Sequence, residues 1–312
     1  MMKGWLIYRI FFYILPLIGF VGLEASCGGG AIDPPPPPPG KIPVVAHVFV
    51  LVEENHSYSQ VIGNPAMPYT NGLAKQYALA TQFYANRFNS LPNYFMLTVG
   101  DLVTTDDSYT GTVTADNVAR AVTAAGKSWR IYAESLPSAG YLGASVGPYG
   151  RDHNPFAYFS DVQNSSSQAA NMVPFTQLAT DMQNGTLPDY AMIVPDFEND
   201  GHDCPPGMPN CTDTDKLQNI DNWVKNNIGP LISSTAFSNS VLIYTWDESD
   251  INDTSNPNER VATILISPKV KAGYQSTTKY QHQSTLKLTM QLLGITDFPG
   301  AAATAPDMAE FF

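Results

Sequence analysis

The chain predicts an α/β fold of three layers, with a mainly parallel central sheet between helices. Two observations predict it. Short runs of β-branched and aromatic residues alternate with stretches whose apolar residues recur at helical spacing, the pattern of βαβ units. Three of the strand-like runs also break into acids, amides and histidines at their carboxyl ends, the edge where open α/β sheets bind ligands. Residues 48–52 run into Glu53-Glu54-Asn55-His56. Residues 190–194 run into Pro195-Asp196 and then Asn199-Asp200-Gly201-His202-Asp203, and residues 241–246 run into Asp247-Glu248.

The elements follow in order. A strand over 44–52 comes first, then a helix over 71–79 capped by Thr70 or Asn71. A short strand, 81–85, leads into a helix starting near Ser90. Thr114 is placed to cap a helix over 115–124, which Gly126 closes. Residues 129–134 form a strand, 176–182 a helix ended by Asn184-Gly185, and 190–194 a strand. Leu217, Ile220, Val224, Ile228 and Leu231 lie close to a helical period and predict one long helix over 213–233. Strands over 241–246 and 262–266 precede a last helix, 284–293, ended by Gly294. No internal repeat and no second linker interrupts 42–312, which reads as one domain.

The 312 residues carry a net charge of −12, which argues against nucleic-acid binding, since that requires a basic surface. An anionic substrate must then be attracted locally, by a metal or by helix N-termini. Residues 1–26 read as an export signal. Lys3 and Arg9 supply positive charge, and the apolar run 10–23 is short for a membrane span. Residues 27–41 read as a tether, with Gly28-Gly29-Gly30 and the proline run Pro34 to Pro39 as a stiff spacer. The expected location is exported: periplasmic, extracellular or lipid-anchored at the cell surface. Cys27 resembles the lipidation cysteine of bacterial lipoproteins, with Glu24 as a departure, and plain signal cleavage is the alternative. Membrane attachment is expected only through a lipidated Cys27. Cys204 and Cys211 flank the turn-rich residues 205–210 and are expected to close a small disulfide loop, the alternative being two free thiols.

Ser90 precedes Pro92 at the start of an apolar helical run, the place of an N-cap, and local sequence favours that role. The same place suits a nucleophile, because a helix N-terminus holds phosphate and eases ionisation of the hydroxyl. Glu54, Asn55, Asp247 and Glu248 end strands. Oxygen ligands from several segments are what Mg²⁺, Ca²⁺ or Mn²⁺ require, and a cation relieves repulsion among converging carboxylates. Of the five histidines, His153, His202 and His282 lie in or beside loops and fit a phosphate or metal role.

Together these segments resemble the phosphoesterase family that contains acid phosphatases and non-haemolytic phospholipases C, relatives of the alkaline phosphatase superfamily. Glu54-Asn55-His56-Ser57-Tyr58 is similar to its Glu-Asn-x-Ser-aromatic opening, and Ser90-Leu91-Pro92-Asn93-Tyr94 to its nucleophile segment. His153-Asn154-Pro155-Phe156, Asn199 to Asp203, Asp221-Asn222-Trp223, Thr245 to Glu248 and Tyr280 to Ser284 resemble further motifs, in the family's order.

The resemblance implies an alkaline-phosphatase-like fold and a phosphoric ester hydrolase acting on a small phosphorylated substrate. It implies Ser90 as nucleophile, forming a phosphoserine, and His202 and His282 as catalytic partners. It implies Glu54, Asn55, Asp247 and Glu248 as holders of one divalent metal ion, with Mg, Ca, Mn and Zn all open. Asn93, His153, Asp200 and Asp203 are expected around the phosphate. Phe88-Asn89 departs from the His-Pro that often precedes the nucleophile in the family. The compact 42–312 lacks the long insertions and C-terminal modules of the phospholipases C, which favours phosphomonoesters. The alternatives are a phospholipase C-like phosphodiesterase and a non-catalytic surface binding protein.

Overall fold

The centre of the sheet is the strand β1, His47–Glu53, in which every residue after His47 is buried. Successive side chains on a strand point to opposite faces, so full burial requires a layer on each. This computed structural model describes residues 1–2, 40–256 and 259–312. The expected signal peptide and tether lie almost wholly outside the described residues, and Cys27 lies wholly outside them.

Eight further strands join β1: β2 Ala78–Tyr84, β3 Trp129–Ala133, β4 Met172–Pro174, β5 Tyr190–Val194, β6 Ser240–Trp246, β7 Arg260–Ile266, β8 Gln275–Ser276 and β9 Tyr280–Gln281. They form one sheet in the order β4-β3-β5-β1-β6-β7-β2-β8, with β9 also paired to β2. All neighbours are parallel except β7, which is antiparallel to both β6 and β2. Two reversals restore direction, so β2 and β9 run the same way as β1. The fold is mixed α/β with a mostly parallel sheet, as the alternation predicts. Helices Ser90–Thr98 and Val118–Ala124 pack on His282–Leu292, while Pro68–Gln76 packs on Asp213–Trp223.

This topology assembles the strand-end clusters. β1 lies between β5 and β6, with Val48 opposite Tyr190 and Glu53 opposite Trp246. Ser90 follows β2, and His282 follows β9 directly. His153 lies in the connection between β3 and β4. These residues therefore stand beyond the carboxyl ends of parallel strands.

Several boundaries differ from expectation for local reasons. The second helix is Pro68–Gln76, capped from a distance: Asp221 accepts from the backbone N–H of Tyr69 at 2.9 Å and of Thr70 at 2.7 Å. That leaves Ala78 and Leu79 to start β2 earlier than expected. Asn117, not Thr114, caps Val118–Ala124, accepting from Arg120 N–H. The long helix predicted over 213–233 is Asp213–Trp223, a π-helical turn Val224–Ile228 and a separate turn Gly229–Ile232. Pro230 has no N–H to continue an α-helix, and its ring crowds the preceding turn. The short strands β4, β8 and β9 carry too few residues for a periodic signal.

Candidate active site

Glu54 leaves β1 fully buried, and three side chains converge on it. Ser90 Oγ donates to Glu54 Oε2 at 2.9 Å, Tyr94 Oη to Oε1 at 3.0 Å, and Asn55 Nδ2 to Oε2 at 3.2 Å. Asn55 adopts φ +58°, a left-handed conformation that asparagine tolerates better than most residues. The turn brings its backbone N–H to 3.4 Å from Asp247 Oδ1. Ser90 and Tyr94 lie four residues apart on one helix, so both face Glu54.

The hydroxyl of Ser90 points away from its helix end. It does not cap its helix; Asp107 does that work, with Oδ1 accepting from Leu91 N–H at 2.9 Å. The other Asp107 oxygen accepts from Asn89 Nδ2 at 2.7 Å. Ser90 is thus released to the carboxylates.

Two donor groups share Glu54. Glu54, Asp247 and Glu248 place one oxygen each within 4.8 Å of one another, and Glu54, His153 and Asp200 do the same with a ring nitrogen among them. Asp247 Oδ2, Glu248 Oε2, His153 Nε2 and His282 Nδ1 are buried with no hydrogen-bond partner among the described residues. Burial and the charges of Asp247, Asp200 and Glu248 hold the Glu54 carboxyl well above its ordinary range. Burial lifts Asp247 to about 6. Burial and the charge of Asp247 push Glu248 up to about 10. Buried acids that resist ionisation, with an oxygen of Asp247 and one of Glu248 left without a donor, are the environment a divalent cation stabilises. The orphaned oxygens and the amide of Asn55 make an oxygen-rich donor set, so the residues fit such an ion.

The histidines divide by environment. His153 Nδ1 lies 3.1 Å from Asp200 Oδ2, and Nε2 lies 3.4 Å from Glu54 Oε1. Burial works against its protonation, but Asp200, Asp152 and Asp247 outweigh it and raise its pKa. Tyr94 stacks on the ring at 5.3 Å. His282 is fully buried, with Nε2 2.6 Å from the Asp247 carbonyl, and burial depresses it to about 4. Neutral, with its N–H on that carbonyl, it holds the Asp247 backbone. His202 is the accessible one. Asp203 Oδ1 lies 2.9 Å from its Nδ1, and Phe197 stacks on the ring.

Asn93 stands apart from the expectation that it meets phosphate. Its Oδ1 accepts from the N–H groups of Asn86 and Arg87, and Nδ2 donates to the carbonyls of Arg87 and Asn89. The amide is saturated by the loop that leads to Ser90, and so it shapes that loop. Asp200 Oδ1 likewise accepts from His202 N–H, closing the turn that presents His202. Cys204 and Cys211 are disulfide-bonded just beyond, with Cα atoms 5.5 Å apart. Tyr94 and Asp107 have roles that the sequence reading left blank. For Tyr94, the spacing of four from Ser90 was the available signal. For Asp107, sixteen residues from Leu91, there was none.

A mostly parallel sheet with acids, amides and histidines gathered at one edge defines the class of fold. The fold is that of the alkaline phosphatase superfamily: a member from Vibrio parahaemolyticus superimposes with a TM-score of 0.58 at 12% identity, over 82% of this chain and 68% of that one. The lipoteichoic acid synthase LtaP from Listeria monocytogenes gives 0.58 at 14% identity, over 87% and 77%. The chain belongs to the Phosphoesterase family, whose model matches residues 64–296. It is a phosphoric ester hydrolase. A phosphatidylinositol-3-phosphatase from Mycobacterium tuberculosis is 28% identical over 91% of this chain and 88% of its own length. A probable acid phosphatase from Kluyveromyces lactis is 30% identical over 76% of this chain and 56% of its own, and an acid phosphatase from Aspergillus fumigatus 30% over 75% and 51%. The chain thus spans about half the length of these fungal relatives. No described helix is long and apolar enough to cross a membrane.

Proposed function

We propose that the chain is an exported, metal-dependent phosphomonoesterase of acid-phosphatase type that works through a phosphoserine at Ser90. The observation that carries this is the direction of the Ser90 hydroxyl, which donates into the carboxylate cluster while Asp107 caps its helix. Names of relatives that include acid phosphatases support the monoester reading.

Glu54, Asn55, Asp247 and Glu248 would hold the ion. A bound divalent cation polarises phosphoryl oxygens and shields their charge. In the first step Ser90 Oγ bonds to phosphorus as the bond to the leaving alcohol oxygen breaks. The Ser90 proton passes to Glu54 Oε2, the acceptor it already faces. His202, oriented by Asp203, gives a proton to the departing alkoxide. In the second step water attacks phosphorus as its bond to Ser90 Oγ breaks; His202 takes a proton from the water, the proton on Glu54 Oε2 returns to Ser90 Oγ, and inorganic phosphate leaves with both side chains reset. His153 donates to phosphate oxygens from its seat on Asp200. His282 positions Asp247 and does not act as the acid, because burial keeps it neutral.

The test is p-nitrophenyl phosphate hydrolysis from pH 4 to 9, with and without chelator, followed by acid quench and mass analysis. Metal-dependent turnover, a phosphoryl group recovered on the peptide containing Ser90, and loss of both in Ser90→Ala are expected. Preference for bis-p-nitrophenyl phosphate would move the reading to a phosphodiesterase, and normal turnover by Ser90→Ala would remove Ser90 as nucleophile.

A further inference from the structure

A second cavity adjoins the cluster. A pocket of about 330 Å³ opens beside it, and Asn55 belongs to both. Its wall includes His56, His202, Asp213, Lys216, Asp250 and Asn252. The His202 ring lies 5.9 Å from that of His153, so the pocket opens beside the histidine assigned above to protonate the departing alkoxide.

His56 fixes the character of this pocket. It is 3% exposed, and its Nδ1 lies 2.8 Å from the Glu54 carbonyl oxygen. A carbonyl only accepts, so Nδ1 carries the proton and Nε2 is left as a lone pair. Nε2 has no hydrogen-bond partner among the described residues, although the ring lines the pocket. Gly201 makes room for this arrangement. At φ +101° it sits where a Cβ would come 3.0 Å from His56 Nδ1 and 2.8 Å from Ile220 Cδ1. The remaining wall is also rich in acceptors. Asp213 offers a carboxylate, and Asp250 Oδ1 holds both nitrogens of Asn252, leaving the Asn252 amide oxygen to accept. Lys216 is the one ammonium in the wall, and it donates to the His202 carbonyl at 2.7 Å.

The geometry points to this pocket as the seat of the leaving alcohol, and to that alcohol as a polyhydroxylated one, a sugar or other polyol bearing a single phosphate; this rests on the phosphomonoesterase reading. Hydroxyl groups supply the donors that His56 Nε2, Asp213 and Asn252 lack. An alkyl alcohol would desolvate those acceptors without pairing them, the situation by which polar sites reject apolar analogues. Two carboxylates against one ammonium also disfavour a second phosphate on the same substrate.

The experiment compares kcat/KM of the metal-loaded enzyme for glucose 6-phosphate and n-butyl phosphate, with p-nitrophenyl phosphate as an independent report of phosphatase chemistry. Asp213 and Asn252 are exposed, so Asp213→Asn and Asn252→Ala are compatible with the fold. The sugar phosphate is expected to be favoured by at least about tenfold, with most of that ratio lost in the double variant. A ratio near one, or a ratio the variants leave unmoved while p-nitrophenyl phosphate is hydrolysed, overturns the pocket assignment alone. If none of the three esters is hydrolysed, the phosphomonoesterase reading fails and the assignment fails with it.

Discussion

Asp181 and the trio Glu54, Asp247 and Glu248 are all acids withdrawn from solvent, and their surroundings are opposite. Asp181 is 2% exposed and ringed by donors: Arg130, the Tyr132 hydroxyl at 2.6 Å, Gln177 Nε2 at 3.1 Å and Thr186 Oγ1 at 3.0 Å. Burial alone would raise its pKa, but Arg130 and the other donors outweigh this and lower it. The trio has two orphaned oxygens, among the described residues no cationic partner but His153, and carboxyls held above their ordinary range. A buried acid completed by protein donors stabilises the fold. Buried acids left incomplete are completed by something the chain does not supply, and here the arrangement suits a cation beside a serine.

The largest effect that sharpens this contrast is chemical. Asp247→Asn is expected to lower metal content and turnover together, the latter on the order of a hundredfold or more. The same variant, stripped of metal, is expected to melt a few degrees higher than the stripped wild type, because a carboxylate whose ionised form burial disfavours has been replaced by a neutral amide. Elemental analysis and thermal denaturation check both halves, and a lower melting temperature in the stripped variant would contradict the reading.

Asp181→Ala is the converse. It leaves Arg130 and Tyr132 without their acceptor and is expected to cost about 2–4 kcal/mol of stability, seen as a fall in melting temperature, with metal stoichiometry unchanged. A change in metal content there would erase the distinction between the two regions.

A smaller effect follows from pH. Glu248 sits near 10 in the metal-free fold, well above its ordinary 4.5. Between those values the folded state keeps a proton that the unfolded chain has lost, so stability falls as pH rises. Between pH 7 and 9 the metal-free protein is expected to lose on the order of 1 kcal/mol per pH unit, and this slope should flatten once metal is bound. Denaturant melts at pH 7, 8 and 9, with and without metal, measure it; a metal-free profile with no downward slope would show that Glu248 is ionised throughout.

The site was legible in the sequence where a whole strand announced it. β1, β5 and β6 are buried on both faces, so each reads as an unbroken apolar run, and the first polar residues after it must lie at the sheet edge. Their adjacency was not legible, because strand order depends on which strands pair. The direction of the Ser90 hydroxyl was hidden for a related reason: its competitor for the helix cap, Asp107, comes from a loop folded back onto it. Asn93 and Asp221 belong to the motifs that signalled the family, yet one saturates a loop and the other caps a helix. A motif records that a residue type is required, and only coordinates reveal whether ligand or backbone requires it. The break at Val224–Ile228 was readable from Pro230, and the helical period of the apolar residues masked it.

The most direct test of the central claim is titration of the metal-stripped protein with Mg²⁺, Ca²⁺, Mn²⁺ and Zn²⁺, following melting temperature and p-nitrophenyl phosphate turnover together. One equivalent of a productive ion is expected to raise the melting temperature and restore turnover in parallel, with neither response in Asp247→Asn. Full turnover after exhaustive chelation, or a wild-type response in that variant, would contradict the account.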